Sequence, residues 1–449
     1  MIKTKRSKVF LILFFICGVT GVVQAQQPEM QFFRSDDKKG LNIFETTKND
    51  TTTFTGLKVR IGGAFAQDYQ ALKDQNTAAY MLTSKTDSTN ANQLAPLTNG
   101  FNLAMADMYL DAQLEDGMRV NLTVYLSSKH HNEAWVKNGY IQFDKLTFLH
   151  SDLINDVMKS ITIKVGDLEV DYGDQHFRRV DGGNEMYNPF VENYIMDEFA
   201  TEIGGEIYYH NENGILAMVG ATDGMLNPTV VASNKIDSVT KTPNAYNPAF
   251  HAKLGFDKQI NQSLRVRLTG SVYEESSTSS STLFGGDRTG SHYFFVLENT
   301  EATTSGNAFS GRFNPSFKEA VTTFMINPFI KYDGLEFFGT YENAKGRMIA
   351  ETSTRTAMQA VADLLYRFGT TENFWVGVRY NTVKAQLATA SIPVDVTINR
   401  IVGSLGWFLT SNVMMKAEYV TQEYSGFPTT DILNGGKFSG AILEAAIGF

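Results

Sequence analysis

The residues best equipped for chemistry lie close together in one stretch. Asp174 to Ala200 reads DQHFRRVDGGNEMYNPFVENYIMDEFA. Three bases, His176, Arg178 and Arg179, come first, and the acids Asp181, Glu185, Glu192, Asp197 and Glu198 follow. Opposed charges set across a narrow space create a transverse field, which sorts solutes by charge and dipole. Phe190, Tyr194, Ile195 and Phe199 offer apolar anchors, while Gly182-Gly183 and Asn188-Pro189 offer bends. A solvated surface loop would carry the same charges without using them. Which of the two it is depends on the elements to either side.

Other candidate chemistry is thin. His130-His131 is a pair that suits a metal ion but occurs as readily by chance on a surface. His176, His210, His251 and His292 have no Ser or Asp at the spacing of a nucleophile motif. Gly285-Gly286 lies in the Ser-rich stretch 277–290, not between a strand and a helix, so it is no phosphate cradle. The one cysteine, Cys17, falls near the N-terminus, which removes disulfides and Cys-ligated metals from the rest. No enzyme, no metal and no cofactor are expected.

The N-terminus itself reads as an export signal over 1–25. Lys3, Lys5, Arg6 and Lys8 precede the apolar run Val9 to Val23, and Val23-Gln24-Ala25 is a small-residue exit. Residues 26–52 are polar and irregular and read as a leader on the periplasmic side, with a disordered tail as the alternative.

From 53 to 449 the pattern has period two. Leu57, Val59 and Ile61 alternate with Lys58, Arg60 and Gly62; Val120, Leu122 and Val124 alternate with Arg119, Asn121 and Thr123; Phe374, Val376, Val378 and Tyr380 alternate with Gly377, Arg379 and Asn381. Such alternation marks strands with one apolar and one polar face. About sixteen are expected, many of ten residues or more, which suits a tilted bilayer crossing better than a soluble sheet. Those nearest the charged loop are expected at 118–129, 134–148 and 161–173. The last of these changes phase near Gly166, because Ile163 and Val165 do not match Leu168 and Val170. A bulge there would reconcile them.

Connections decide between a soluble sandwich and a membrane barrel. Tight turns such as Asp116-Gly117, Asp333-Gly334 and Ser411-Asn412 alternate with long connections at 71–100, 174–200, 224–245, 277–320 and 425–436. All the long ones then fall at one end, as in an all-β transmembrane antiparallel β-barrel with short periplasmic turns. The exception is 149–160, LHSDLINDVMKS, a long connection on the short-turn side that suits a short helix. No run of some eighteen apolar residues offers a helical span. Aromatics are plentiful at 12%, prolines few at 10, and the formal charge of −9 argues against a nucleic-acid partner.

In such a barrel the polar faces line the interior. Lys58, Arg60, Arg119, Lys164, Lys253, Arg265, Arg267 and Arg379 then point inward, and Asp107, Asp111, Glu115, Asp257, Glu336, Glu418 and Glu444 do so too. A mixed interior with a weak anion preference is expected.

The chain ends KFSGAILEAAIGF. A closing strand that ends on an aromatic, Phe449, resembles the signal read by the barrel assembly machinery of Gram-negative bacteria. The leader from Phe33-Arg34 to Glu45 and the segment KVGDLEVDYGDQHFRRVDGGNEMYNP also resemble the phosphate-selective porin O/P type. The resemblance is loose over most of the chain. It implies a sixteen-stranded, trimeric diffusion channel in outer-membrane lipid, with the third extracellular loop, 174–200, folded inward. It does not imply phosphate, because the dense ladder of arginines and lysines that marks phosphate-selective members is interleaved here with acids. The expected function is passive passage of small hydrophilic or anionic solutes. The alternative is a barrel that binds a ligand or serves as an adhesin or receptor.

Overall fold

The computed structural model describes residues 27–84, 87–126, 134–278, 280–388 and 393–449. The expected export signal and His130-His131 lie outside them. The chain forms β1 (Lys58–Gln75), β2 (Leu82–Ser84), β3 (Asp87–Asn90), β4 (Gly100–Glu115), β5 (Met118–Tyr125), β6 (Trp135–Phe143), β7 (Ile161–Glu169), β8 (Thr201–His210), β9 (Ile215–Thr222) and β10 (Ala249–Gln259). It continues with β11 (Leu264–Glu275), β12 (Ala320–Tyr332), β13 (Leu335–Arg347), β14 (Arg355–Phe368), β15 (Phe374–Leu387), β16 (Val394–Phe408), β17 (Val413–Ser425) and β18 (Lys437–Gly448). Sixteen of these make one closed antiparallel barrel, in which β1 pairs with both β4 and β18. Closure leaves no free strand edge along the sheet, so the wall backbone finds its partners in neighbouring strands. The short hairpin β2–β3 stands in the connection between β1 and β4.

Strand β15 shows why these residues sit in such a wall. Val376, Val378 and Tyr380 face outward, each 47% exposed, while Trp375, Arg379 and Asn381 between them are buried. A water-soluble sheet does the reverse, hiding valines and showing arginines. Around the barrel the outward rows are apolar, as at Ile326 and Ile330, Leu364, Ile401 and Leu405. At the short-turn end they finish in rings: Tyr332, Tyr366, Phe368, Phe374 and Trp407 all stand outward, with Phe374 and Trp407 stacked at 5.2 Å. Aromatic rings belong at the boundary between lipid tails and water. Phe449 joins this belt, half-exposed, and its backbone N donates to the Gly63 carbonyl at 3.0 Å across the closing seam.

Tight turns and long loops segregate to opposite ends, as expected. Gly117 makes one tight turn at φ +74, where a Cβ would lie 2.5 Å from Lys145. The exceptional connection holds a helix, Asp152–Met158, whose first turn is capped by Ser151.

Two expectations need correction. β6 and β7 end earlier than the expected 148 and 173, because the chain leaves the wall after β6 and turns inward after β7, while the expected end of β5 at 129 lies outside the described residues. The bulge at Gly166 is also missing. β7 pairs with β6 and β8 without any shift of register, and Gly166 takes φ +142. The phase never changes: Leu168 (1% exposed) and Val170 point inside. An apolar side chain can face the interior here because the interior at that level is protein, not water.

Three segments fill it. The inner loop, 170–200, is buried almost throughout, with Phe190, Val191, Ile195 and Met196 at its heart. A second inner loop, 276–319, brings Leu283, Tyr293, Val296 and Leu297 into the same core. The leader closes the short-turn mouth: Gln31 accepts from the Gly117 N–H at 2.9 Å, Lys38 donates its backbone N–H to Ser411, and Asn42 donates to Glu336 at 2.8 Å.

Candidate channel interior

An irregular segment inside a barrel must find partners for its backbone. The inner loop finds many of them on the inward side chains of β14–β17. Asn381 accepts from the Ile195 N–H, and Gln359 accepts from the Met196 N–H and donates to its carbonyl. Arg379 donates to the Glu192 carbonyl at 2.7 Å, Arg400 to that of Asn193 at 2.6 Å, and Ser404 to that of Pro189 at 2.6 Å. Lys416 donates to the Phe190 carbonyl at 3.0 Å. Arg379 also lies over the rings of Phe190 and Tyr194, so the apolar anchors are fixed to the wall by the same residue.

The structure gathers the expected constriction residues inside the barrel, but their charges close on near neighbours. His176 meets Asp171 at 2.7 Å. Arg178 pairs with Glu336 at 2.8 Å and lies over Phe338. Arg179 grips Asp181 at 2.8 Å and Asp197 at 2.5 Å. Arg312, from the second inner loop, meets Asp181 at 2.8 Å, Asp197 at 2.6 Å and Glu192 at 2.7 Å. Burial pushes Glu192 up, but Arg312, His292 and Arg400 outweigh it and hold its carboxyl at about 2. Asp181 is likewise held low by Arg179 and Arg312 against its burial. Glu185 differs: neither of its carboxyl oxygens has a hydrogen-bond partner among the described residues, and burial pushes it well above the usual carboxylate range.

The expected lining bases are all partnered. Arg60 meets Asp36 at 2.9 Å, Arg119 meets Asp111 at 2.8 Å, Arg265 meets Asp257 at 2.7 Å, and Arg379 meets Asp363 at 2.8 Å. Arg267 joins Asp174 at 2.8 Å to Glu45 of the leader at 2.7 Å. Lys253 bonds to Asp171 and also reaches Asp174 and Glu45. Lys164 donates to the Tyr208 hydroxyl at 3.3 Å, and Lys58 donates to the Glu29 carbonyl at 2.6 Å. These pairs therefore tie wall, inner loop and leader together.

The second inner loop was not expected to matter. Its signal was in plain view: His292-Tyr293-Phe294-Phe295-Val296-Leu297 is too apolar for a solvated loop. His292 places Nδ1 2.9 Å from Glu444 and 3.2 Å from Asp68, which face each other across β1 and β18. Burial would lower His292, but the two acids raise it to about 10. Three such donors suit a metal ion in spacing. The charge is already balanced, however, by the His292 imidazolium and by Lys416, 2.5 Å from Glu444.

Not all of the interior is solid. A space of about 350 Å³ near the long-loop end is lined by Tyr125, Trp135, Lys137, Phe199, Asp287 and Arg288 and opens outward past Val136 and Asp167. A second, of about 160 Å³ at the leader, is lined by Phe33, Arg34, Asp36, Asp111, Arg119 and Tyr140 among others.

No protein-family model and no curated protein matches the chain, so the resemblance to phosphate-selective porins does not become membership. Solved structures do match. OmpT, an outer membrane protein of Vibrio cholerae, aligns with a TM-score of 0.50 at 11% identity, over 88% of this chain and 99% of that one. The fold is that of an outer-membrane β-barrel. The outer membrane channel DcaP of Acinetobacter baumannii aligns at TM-score 0.49 and 11% identity, over 89% and 99%. An anion-selective porin from Comamonas acidovorans aligns at 0.47 and 9%, over 88% and 100%. At these identities the likeness is one of architecture.

Proposed function

We propose that this chain is an outer-membrane porin, a passive channel for small hydrophilic solutes whose interior is narrowed by two loops and a leader. One observation carries the reading: a closed barrel turns apolar rows outward and encloses a charged, hydrogen-bonding interior with residual space. The reading includes residence in outer-membrane lipid, insertion by the barrel assembly machinery through the Phe449 end, assembly as a homotrimer, and no catalysis.

A weak anion preference belongs to the same proposal. The lower space carries Arg34 and Arg119 against Asp36 and Asp111. Burial pushes the Asp36 carboxyl up to about 7, more than Arg60 pulls it down, which weakens its negative charge near neutrality and favours the bases beside it.

The test is direct. Purified, detergent-folded protein added to a planar lipid bilayer raises conductance in small discrete steps, with a reversal potential in a salt gradient that favours anions. Silence at every voltage and salt tried sinks the channel reading. The filled interior is what favours the second reading, a barrel that displays its long loops to a ligand or partner. That barrel would be silent in the bilayer yet show the heat-dependent gel shift of a folded barrel.

A further inference from the structure

Both spaces are lined by residues of the β4–β6 wall, at successive levels along it. Inward residues of β4, β5 and β6 stack in register: Asp111 beside Asn121 and Tyr140, then Tyr109 beside Thr123 and Asn138, then Asp107 beside Tyr125 and Trp135. The lower space takes in the first level, with Tyr109 and Thr123, and the upper space takes in Tyr125 and Trp135. Between them β6 slips by one residue, so that Thr123 faces Asn138 while Val124 faces Val136. The extra residue at this bulge is Lys137, which is buried together with Asn138.

Lys137 holds three structural units with one ammonium group. It lies 3.3 Å from Asp107 on the wall, 2.6 Å from Asp287 on the second inner loop and 3.1 Å from the Asp181 carbonyl of the inner loop. Thr289, two residues past Asp287, donates to the same Asp181 carbonyl at 2.8 Å. Beneath, Gly183 lies so close to Tyr109 that a Cβ would come 1.8 Å from its hydroxyl, so the inner loop rests on the wall at this level. Many of the other ties inside are arginines, whose planar forks hold two bonds at fixed angles, and the buried Lys253 and Lys416 each end on inner-loop groups without reaching the second inner loop. A lysine is a point charge on a flexible stem, and it can swing from one acid to another.

We propose, resting on the channel reading above, that solutes cross along the β4–β6 wall and not down the barrel axis. Lys137 is the bolt of this route, closing it by bridging Asp107 to Asp287. When the ammonium lets go of Asp287 and stays with Asp107, the second inner loop is released from the wall and the upper and lower spaces join. Tyr140, Tyr109, Tyr125 and Trp135 then give the route an aromatic side beside its charges. It fits small polar or zwitterionic solutes with a flat apolar face.

Asp287→Asn tests the bolt. One Asp287 oxygen accepts from the Thr289 N–H at 2.9 Å, and the amide oxygen of Asn can keep that bond, while the oxygen facing Lys137 becomes an NH₂ group. The expected result in planar bilayers is an open fraction raised about fivefold or more over wild type, the shift expected for loss of one charged hydrogen bond. A second test does not depend on that variant folding. In a Cys17→Ala background, Asn121→Cys in the lower space should let a cationic thiol reagent block the current, whereas Ser404→Cys on the far wall should not. If wild type conducts but Asp287→Asn matches it and only Ser404→Cys is blocked, the route is wrong and the channel stands. If wild type and Asp287→Asn are both silent, channel and route fall together.

Discussion

The β14–β16 wall and the β4–β6 wall stand six strands apart, β15 to β5, around the sixteen-stranded barrel, and the inner loop treats them differently. Against β14–β16 it is seated residue by residue. Arg379, Arg400, Gln359 and Asn381 each end on its backbone, and Trp375 sends its ring N–H to the Pro189 carbonyl at 3.3 Å. Against β4–β6 it leaves two spaces and touches through Gly183 and the Lys137 cluster. A buried base that satisfies loop carbonyls makes a foundation, because breaking it orphans groups on both sides. A buried base shared between acids on separate segments makes a joint, because one bond can open while another holds. The same residue class thus fixes one side of the interior and leaves the other able to move.

Arg379→Ala should break this contrast hardest. It leaves Asp363 buried without its cation and the Glu192 carbonyl without a donor, a loss of about 3–5 kcal/mol. The folded, heat-modifiable band should vanish at a clearly lower temperature or urea concentration. Asp287→Asn should cost less, about 1.5–3 kcal/mol for one charge-assisted bond; equal losses for the two variants would erase the distinction between foundation and joint.

Arg312→Ala comes next. Asp181, Asp197 and Glu192 would lose their shared cation, and the two inner loops would repel. Larger single-channel steps and faster protease cleavage within 276–319 should follow while the strand content by circular dichroism stays constant. The double change Arg178→Ala with Arg179→Ala should shift the reversal potential toward cations. An unchanged potential would take the inner-loop bases out of the selectivity mechanism.

The smallest effect is one of pH. Asp36 has a raised pKa in the docked leader, so its contribution to docking is complete below its ordinary value of 3.8 and is lost as pH rises through about 7. The leader should be cleaved faster at pH 8 than at pH 5.5, and the anion preference should weaken over the same window. Asp36→Asn should flatten both responses.

Much of this was legible without coordinates. Period two in Phe374 to Asn381 set the strand and its two faces, because the choice is made by each residue's affinity for lipid or water. The tight turns gave the ends of the hairpins. The charged stretch from His176 to Glu192 announced a segment that belonged inside. What stayed hidden was who pairs with whom. Glu45 with Arg267, Arg312 with Glu192, and Lys137 with Asp287 are separated by 222, 120 and 150 positions, and no local pattern encodes such a meeting.

Residue type by itself therefore determined the wall: alternating solubility along the chain, tight turns at one end and an aromatic finish. Tertiary structure decided what occupies the hole. The backbone of an inserted loop must be satisfied by side chains drawn from β6, from β14 to β17 and from a second loop, and only closure of the barrel brings them within bonding distance.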